Sequence, residues 1–149
     1  MKQLKVDAIK NGTVIDHIQA GKGLIIADFL KTGRGNVMMI GMNLQSKSFG
    51  KKDIIKIENK TLTSIEMSSI ALISPKATIT KIKDFKIEGK KKVELQNEIE
   101  SLIICPNPKC ITNMDEVNSV FYVTQDENNV VRCKYCEKKY SVDEIKIRI

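Results

Sequence analysis

The sequence predicts an α+β protein built in two parts. Over about the first ninety residues, apolar side chains switch between the two-residue period of strands and the period of helices, in the order β, α, β, β, α, β. The last fifty residues hold all four cysteines, in two close pairs. A chain of 149 residues is long enough for one ordinary domain or two small ones.

The first elements follow from alternation and helical spacing. Residues 4–10 alternate apolar and polar side chains, which is typical of a strand, and Asn11-Gly12 is a turn signal. Residues 13–18 continue extended. An apolar stripe predicts a helix over residues 23–31, and residues 36–44, apolar on both faces, are typical of a strand that is buried or lies in an interface.

The next three elements complete the pattern. Residues 51–59 form a strand that carries Lys52 and Lys56 on one face. Thr63 and Glu66 form a capping box that starts a second helix, and residues 77–88 favour a strand. This order suggests an antiparallel sheet with two helices on one face, which is a ferredoxin-like α/β sandwich.

The remainder of the chain predicts a separate module. We assign residues 1–93 to the first domain, the charged stretch 94–100 to a linker, and residues 101–149 to a small all-β domain. In this second domain, residues 119–124 and 130–132 are expected to pair as a hairpin around 126–129, and residues 145–149 to form a closing strand.

The cysteines predict a metal centre. Cys105 and Cys110 form one pair and Cys133 and Cys136 the other, with spacers that let each loop offer two thiolates to one ion. Four thiolates fill a tetrahedral shell, so the sequence predicts one structural Zn²⁺ in a zinc-ribbon-like module. The alternatives are two disulfides, which require an oxidising compartment, or a redox-active C-x-x-C pair.

The charge is unevenly distributed. The formal net charge is +7, and residues 1–100 carry 18 Lys and Arg against 11 Asp and Glu, whereas residues 101–149 carry seven of each. An anionic partner is therefore expected to bind the first domain. A zinc ribbon that bound DNA or RNA would be expected to be basic itself, which counts against a zinc-ribbon nucleic-acid-binding protein, the alternative function.

The remaining sequence signals narrow the function classes. No secretory signal and no apolar run of about eighteen residues is present, so a cytoplasmic protein that does not enter a membrane is expected. No nucleotide-binding glycine loop or nucleophile motif is present, which favours a non-catalytic binding protein over an enzyme built on Asp16 and His17. Taken alone, Lys52 and Lys56 are explained by solvation at a sheet surface.

Several segments together resemble one family, the regulatory chain of aspartate carbamoyltransferase. The resemblance covers nearly the whole chain and is carried by residues 12–18 (GTVIDHI), 41–44 (GMNL), 52–59 (KDIIKIEN), 105–107 (CPN) and 133–137 (CKYCE). It implies a non-catalytic subunit whose first domain binds the allosteric effectors CTP and ATP. It also implies that the zinc domain docks on the catalytic chain, and that homodimers of regulatory chains join catalytic trimers into a heterododecamer within pyrimidine biosynthesis.

The resemblance also assigns effector-binding residues. Those implied to line the base pocket are Val6, Asp7, Ala8, Ile9 and Lys10. Those implied to meet the ribose and the phosphates are Asp16 at the ribose hydroxyls, His17 facing the phosphates, Lys56 between ribose and base, Lys90 with the Ile87 backbone at the triphosphate, and Lys52 at the phosphate rim. Three positions differ from familiar members: Thr80 and Phe85, near base and sugar, stand for Asn and Tyr, and Lys109 replaces a polar residue in the loop implied to face the catalytic chain.

Overall fold

The structure is a computed structural model that describes residues 8–30, 35–47, 50–124 and 130–148. Its helices and strands, in chain order, are β1 Gly12–Gln19, α1 Gly23–Phe29, β2 Met38–Ser46, β3 Gly50–Glu58, α2 Ser64–Ile73, β4 Thr78–Lys83, β5 Lys86–Lys92, β6 Glu98–Glu100, β7 Ile103–Ile104, α3 Ile111–Met114, β8 Val120–Val123, β9 Val130–Cys133, β10 Lys139–Ser141 and β11 Lys146–Ile147. A 3₁₀ helix, Val142–Glu144, separates β10 from β11. The expected mixture of α and β elements is confirmed.

Five strands of the first part form one antiparallel sheet. Their order across the sheet is β2-β3-β1-β4-β5, so β1 lies in the centre between β3 and β4. Ile15 of β1 lies opposite Ile55 of β3 and Ile79 of β4. Because directly opposed residues point to the same face, these isoleucines form one apolar surface.

The two longer helices cover that apolar surface. Ile26 of α1 and Ile70 of α2 are fully buried and belong to the same core as the sheet isoleucines. The predicted capping box starts α2: Glu66 N donates to Thr63 Oγ1 and Thr63 N donates to Glu66 Oε1. The helices leave the other face of the sheet, which carries Lys52, Lys56 and Val14, outside this core.

The prediction of a single strand over residues 77–88 is wrong in one respect, because these residues belong to a hairpin of two strands. β4 ends at Lys83, Asp84 and Phe85 turn the chain with positive φ, and β5 returns beside β4 as a fifth strand. Two bonds from the segment before β1 hold this turn, because Asp84 N donates to Asn11 Oδ1 and Phe85 N donates to the Lys10 carbonyl. No glycine marks this turn, so the sequence pattern did not indicate that the strand is interrupted there.

The strand predicted over residues 4–10 can be assessed only in part. Residues 4–7 lie outside the described residues, and residues 8–10 form no strand. The expectation for residues 13–18 is confirmed by β1, that for 36–44 by β2 and that for 51–59 by β3, with shifts of one or two residues at their ends. The first helix ends at Phe29, and residue 31 is outside the described residues.

Gly12 begins β1 in a conformation that other residues rarely adopt. Its φ is +148°, and a Cβ atom there would lie 2.0 Å from the Ile57 carbonyl oxygen. We therefore expect Gly12→Ala to lower the free energy of unfolding by about 2–3 kcal/mol, measured by urea denaturation. Gly89→Ala in β5 is the matched control, since among the described residues no atom other than those of its chain neighbours lies within 4 Å of its Cβ position. Equal stability of the two variants would contradict the expected strain.

The second part contains two small antiparallel sheets. One has the order β10-β9-β8-β6 and the other pairs β11 with β7. The expected hairpin is confirmed by the pairing of β8 with β9, although residues 126–129 at its turn are outside the described residues. The closing strand is shorter than expected and consists of Lys146–Ile147.

Two expectations about this part need correction. Residues 98–100, predicted to be linker, form β6 and pair with β8, because Ile99 is buried in the second core. The part predicted to be all-β also contains α3 and the 3₁₀ helix. Four residues are too few for a periodic apolar pattern, so α3 left no recognisable signal in the sequence.

Candidate metal centre and candidate anion-binding face

The four cysteines meet in one cluster in the second part of the chain. Their Sγ atoms all lie within 4.8 Å of one another. Cys105 and Cys136 have their sulfur atoms 3.7 Å apart, and so have Cys110 and Cys133. A tetrahedral ion with metal–sulfur bonds of about 2.3 Å requires sulfur atoms about 3.75 Å apart. The cluster thus fits one four-coordinate metal ion, and no pair is joined as a disulfide.

The loops around the cluster are shaped to support thiolates. Backbone amides of Asn107, Tyr135 and Lys138 are directed at cysteine sulfur atoms, and the Thr112 hydroxyl donates to Cys110 Sγ at 3.2 Å. Such donors stabilise the negative charge that sulfur carries when it binds a metal.

Asn113 and Tyr140 also support the cluster. Asn113 Nδ2 donates to the carbonyls of Cys105 and Asn107 and so fixes the first cysteine loop. The Tyr140 hydroxyl lies 4.0 Å from Cys105 Sγ. Sequence reasoning did not find these supporting residues, because side-chain contacts with a cysteine loop have no fixed spacing.

The thiols differ in acidity because they differ in surroundings. Burial, together with the neighbouring sulfur atoms, raises the pKa of Cys105 to about 12 and also raises the pKa of Cys133. Burial likewise tends to raise the pKa of Cys136, but the Lys138 amide and nearby side chains outweigh it and lower the pKa to about 7. A dication at the centre would offset the repulsion among four thiolates and would favour their deprotonated form.

Apolar side chains are exposed next to the cysteine cluster. Ile111 and Met114 on α3 are 45% and 70% exposed, and Tyr135 in the second cysteine loop is 43% exposed. Lys109, in the first cysteine loop, is exposed as well. The short helix therefore presents an apolar surface next to the cysteine loops.

The second candidate site is the sheet face opposite the helices. Lys56 of β3 and Thr80 of β4 both lie opposite Val14 of β1, and Thr80 lies opposite Lys90 of β5. Lys56, Val14, Thr80 and Lys90 therefore form one row across four strands, with their side chains on one face. Thr80 is buried in this row and Lys90 is exposed.

Asp16, His17 and Lys52 meet at a bulge of β1, next to that row. Lys52 Nζ lies 2.9 Å from Asp16 Oδ1, and the same oxygen accepts from the His17 amide. His17 has a φ of +56°, and its Nδ1 atom lies 3.0 Å from Thr78 Oγ1. We refer to Lys52, Lys56 and Lys90 as the lysine face.

The acidity of Asp16 reflects these neighbours. Partial burial tends to raise its pKa, but the hydrogen bonds from Lys52 and His17, with the positive charge of Lys52, together lower the pKa below its usual value. Asp16 is thus a carboxylate at neutral pH and an acceptor for a neighbouring donor.

The other sequence-predicted residues are more scattered. Ala8 and Lys10 are exposed and Ile9 is half-buried, and the Lys10 carbonyl is tied to the amide of Phe85. Phe85 is exposed in the β4–β5 turn, and Ile87 lies opposite Ile82 of β4, on the same sheet face as Thr80. Val6 and Asp7 lie outside the described residues.

Asp53 is a buried carboxylate that sequence reasoning missed. It is fully buried and accepts three backbone hydrogen bonds: from Gly21 at 3.0 Å and Gly23 at 2.9 Å on Oδ2, and from Asn43 at 2.9 Å on Oδ1. It therefore joins β3 to the start of α1 and to β2. The available signal was an acidic residue on the buried side of an alternating strand, one position after Lys52.

In the ranges that the structure describes, no helix has the length and apolar character that crossing a bilayer requires.

Comparisons with known proteins agree over both parts of the chain. The family model described as "Aspartate carbamoyltransferase regulatory chain, allosteric domain" matches residues 4–94, and the model for the metal-binding domain of the same chain matches residues 97–146. The chain is 47% identical over 148 residues to the aspartate carbamoyltransferase regulatory chain of Pyrococcus abyssi, covering 97% of each chain. It is 48% identical over 146 residues to that of Methanothermobacter thermautotrophicus, covering 96% of this chain and 93% of the relative, and 43% identical over 147 residues to that of Nitrosopumilus maritimus, covering 97% and 96%.

Proposed function

The chain belongs to the family of aspartate carbamoyltransferase regulatory chains, and on that premise we propose that nucleoside triphosphates bind its lysine face and act on the catalytic chain through its cysteine domain. It is a non-catalytic subunit with an allosteric and a metal-binding domain. We propose residues 1–93 as the allosteric domain, with a ferredoxin-like arrangement, and 101–149 as the metal-binding domain. The observation that carries the proposal is the alignment of lysines from separate strands on one sheet face.

A triphosphate requires several cations that arrive from different directions, because a single ammonium group is strongly screened in water. The lysine face supplies them from β3 and β5. In the proposed complex Lys90 and Lys52 neutralise the charge of phosphate oxygens. The Ile87 backbone supports Lys90 at the triphosphate. The Asp16 carboxylate accepts hydrogen bonds from ribose hydroxyls; Lys52 and the His17 amide both contact Oδ1 of this carboxylate.

The remaining residues of the proposed site would contact the base and the sugar. Ala8, Ile9 and Lys10, with Val6 and Asp7, provide backbone groups for the base edge, and Phe85 is held close to Lys10. Lys56 and Thr80 lie in the same row and would meet the ribose and the base. His17 would face the phosphates. We propose CTP as the inhibitor and ATP as the activator.

We propose Zn²⁺ as the metal. The cysteines offer four soft sulfur ligands at spacings that suit bonds of about 2.3 Å, which is the coordination of structural zinc sites. The ion would bind Cys105, Cys110, Cys133 and Cys136 and fix the two cysteine loops. Such sites serve folding, since all four positions are filled by the protein.

Two surfaces support the proposed assembly. Ile111 and Met114 on α3 form an apolar surface beside the metal loops, suited to the catalytic chain. β2 is an edge strand of the five-stranded sheet, and it would pair two regulatory chains; Met42 in this strand is 37% exposed, and Val37, directly before it, is 62% exposed. Catalytic trimers joined by such homodimers would form a heterododecamer. Four reduced thiols suit a cytoplasmic location.

We expect Lys56→Ala and Lys90→Ala each to weaken ATP and CTP binding about tenfold or more, as each removes a cation from the phosphate or ribose region. Isothermal titration of the full chain measures this change. Lys91→Ala is the matched control: Lys91 is exposed next to Lys90 but lies opposite Ile79, on the other face of the sheet. It should bind nucleotides as the wild type does.

The ability of each variant to assemble with the catalytic chain shows whether the substitution acts only on nucleotide binding or also disturbs the fold. Light scattering after size-exclusion chromatography should give the same complex with the catalytic chain for all three variants. If Lys56→Ala and Lys90→Ala both kept the wild-type nucleotide affinity, the proposed site would be wrong.

A further inference from the structure

The two domains meet beside a cavity of about 350 Å³. Ile25 and Phe29 of α1 line it from the first domain, and Val142 and Ile145 line it from the second. Across this cavity α1 and the 3₁₀ helix are not close-packed. The contacts at its margins therefore set the relative position of the domains.

The margins differ in chemistry. One contact between the domains is apolar: Leu72 of α2 is 1% exposed and belongs to the second core, and Ile147 of β11 packs against both cores. Another contact is polar: Lys22 Nζ forms an ion pair with the Asp143 carboxylate, which lies 121 residues later in the chain. We refer to this ion pair as the tie between the domains.

Lys22 is connected to the lysine face through Asp53. Lys22 stands between Gly21 and Gly23, and both of their amides donate to the Asp53 carboxylate. Asp53 directly follows Lys52 in β3, and Lys52 is paired with Asp16. A ligand that draws Lys52 away from Asp16 would act on β3, and the Asp53 carboxylate of β3 accepts hydrogen bonds from both chain neighbours of Lys22.

Asp143 is connected to the cysteine cluster through Ser141 and Tyr140. Asp143 N donates to Ser141 Oγ at 3.3 Å, and Ser141 N donates to Glu144 Oε1 at 3.1 Å. These bonds fix the start of the 3₁₀ helix to the end of β10. The preceding residue, Tyr140, has its hydroxyl 4.0 Å from Cys105 Sγ.

We propose that the Lys22–Asp143 ion pair is the tie through which nucleotide occupancy of the lysine face is transmitted to the cysteine domain. The inference rests on the proposed function and names the regulatory connection of that site. Exposed ion pairs contribute little to folding stability, and Asp143 is 70% exposed. Its contribution is to orientation: the tie favours one position of the cysteine domain against α1, and an effector acts through it only if this contact differs between the two states of the complex.

The test uses Lys22→Ala, Asp143→Ala, the double variant and the charge exchange Lys22→Asp with Asp143→Lys, each assembled with the catalytic chain. Two quantities are measured: ATP affinity of the full regulatory chain by titration, and the ATP-induced shift in half-saturating aspartate of the complex. Each single variant should keep the wild-type ATP affinity within twofold, while the shift falls at least twofold. The double variant should lose no more than the singles, and the charge exchange should restore part of the shift.

The control is Lys60→Ala, which breaks an ion pair with Glu66 inside the first domain, at 3.0 Å. It should leave the aspartate shift unchanged. A full shift in both single variants would overturn the tie. If the wild-type chain bound no ATP in the titration, the proposed function would fail, and the tie as a nucleotide relay would fail with it; wild-type binding with undiminished response in the variants defeats the tie alone.

Discussion

Cys110→Ala should abolish assembly with the catalytic chain and unfold the second domain. Removal of the Cys110 thiolate leaves three ligands, one in the first cysteine loop and two in the second, and the metal is then held far more weakly. Structural zinc contributes roughly 10–16 kcal/mol of apparent binding free energy to domains of this kind. A unit of about fifty residues buries too little apolar surface to fold well without it.

Light scattering should show no large complex with the variant, and circular dichroism should show loss of β structure. A chelator should have the same effect on the wild-type chain, and added Zn²⁺ should reverse it. Nucleotide affinity of the first domain should change much less, because the lysine face lies on the other sheet.

Ser119→Ala is the matched control for this experiment. Ser119 is buried in the same domain, and its hydroxyl has no hydrogen-bond partner among the described residues. Loss of that hydroxyl should leave metal content and assembly intact. A Cys110→Ala chain that still assembled would refute the role of the metal domain in docking.

Asp53→Ala should lower the free energy of unfolding by roughly 3–5 kcal/mol. The substitution leaves the buried amide of Gly23 without an acceptor and removes the hydrogen bonds to the amides of Gly21 and Asn43, so the residue that joins β3 to α1 and β2 is lost. Each unsatisfied buried amide costs about 1–3 kcal/mol. Urea denaturation of the full chain with metal bound measures the loss.

Two comparisons make the result specific. Asp53→Asn keeps one carbonyl oxygen as acceptor and should lose only part of the stability. Glu94→Ala removes an exposed carboxylate just after β5 and should stay within about 0.5 kcal/mol of the wild type. A near-neutral Asp53→Ala would mean that water or another group satisfies these amides.

The metal centre and the order of the main elements were largely determined by the sequence. Two short cysteine spacers restrict their sulfur atoms to one small region, and the cluster has that geometry. Strand periodicity places Lys52 and Lys56 on one face whatever the partners of β3. The capping box of α2 is likewise local, since Thr63 and Glu66 are three residues apart.

Contacts between distant residues were decided only by the tertiary structure. The β4–β5 hairpin depends on Asn11 and Lys10 holding a turn that lacks glycine, and the Lys22–Asp143 pair spans 121 residues. Whether Asp53 is solvated or accepts three amides depends on where two other segments pass. Local patterns report the periodicity and chemistry of a segment, but pairing across the chain depends on packing, and packing exists only in the folded molecule.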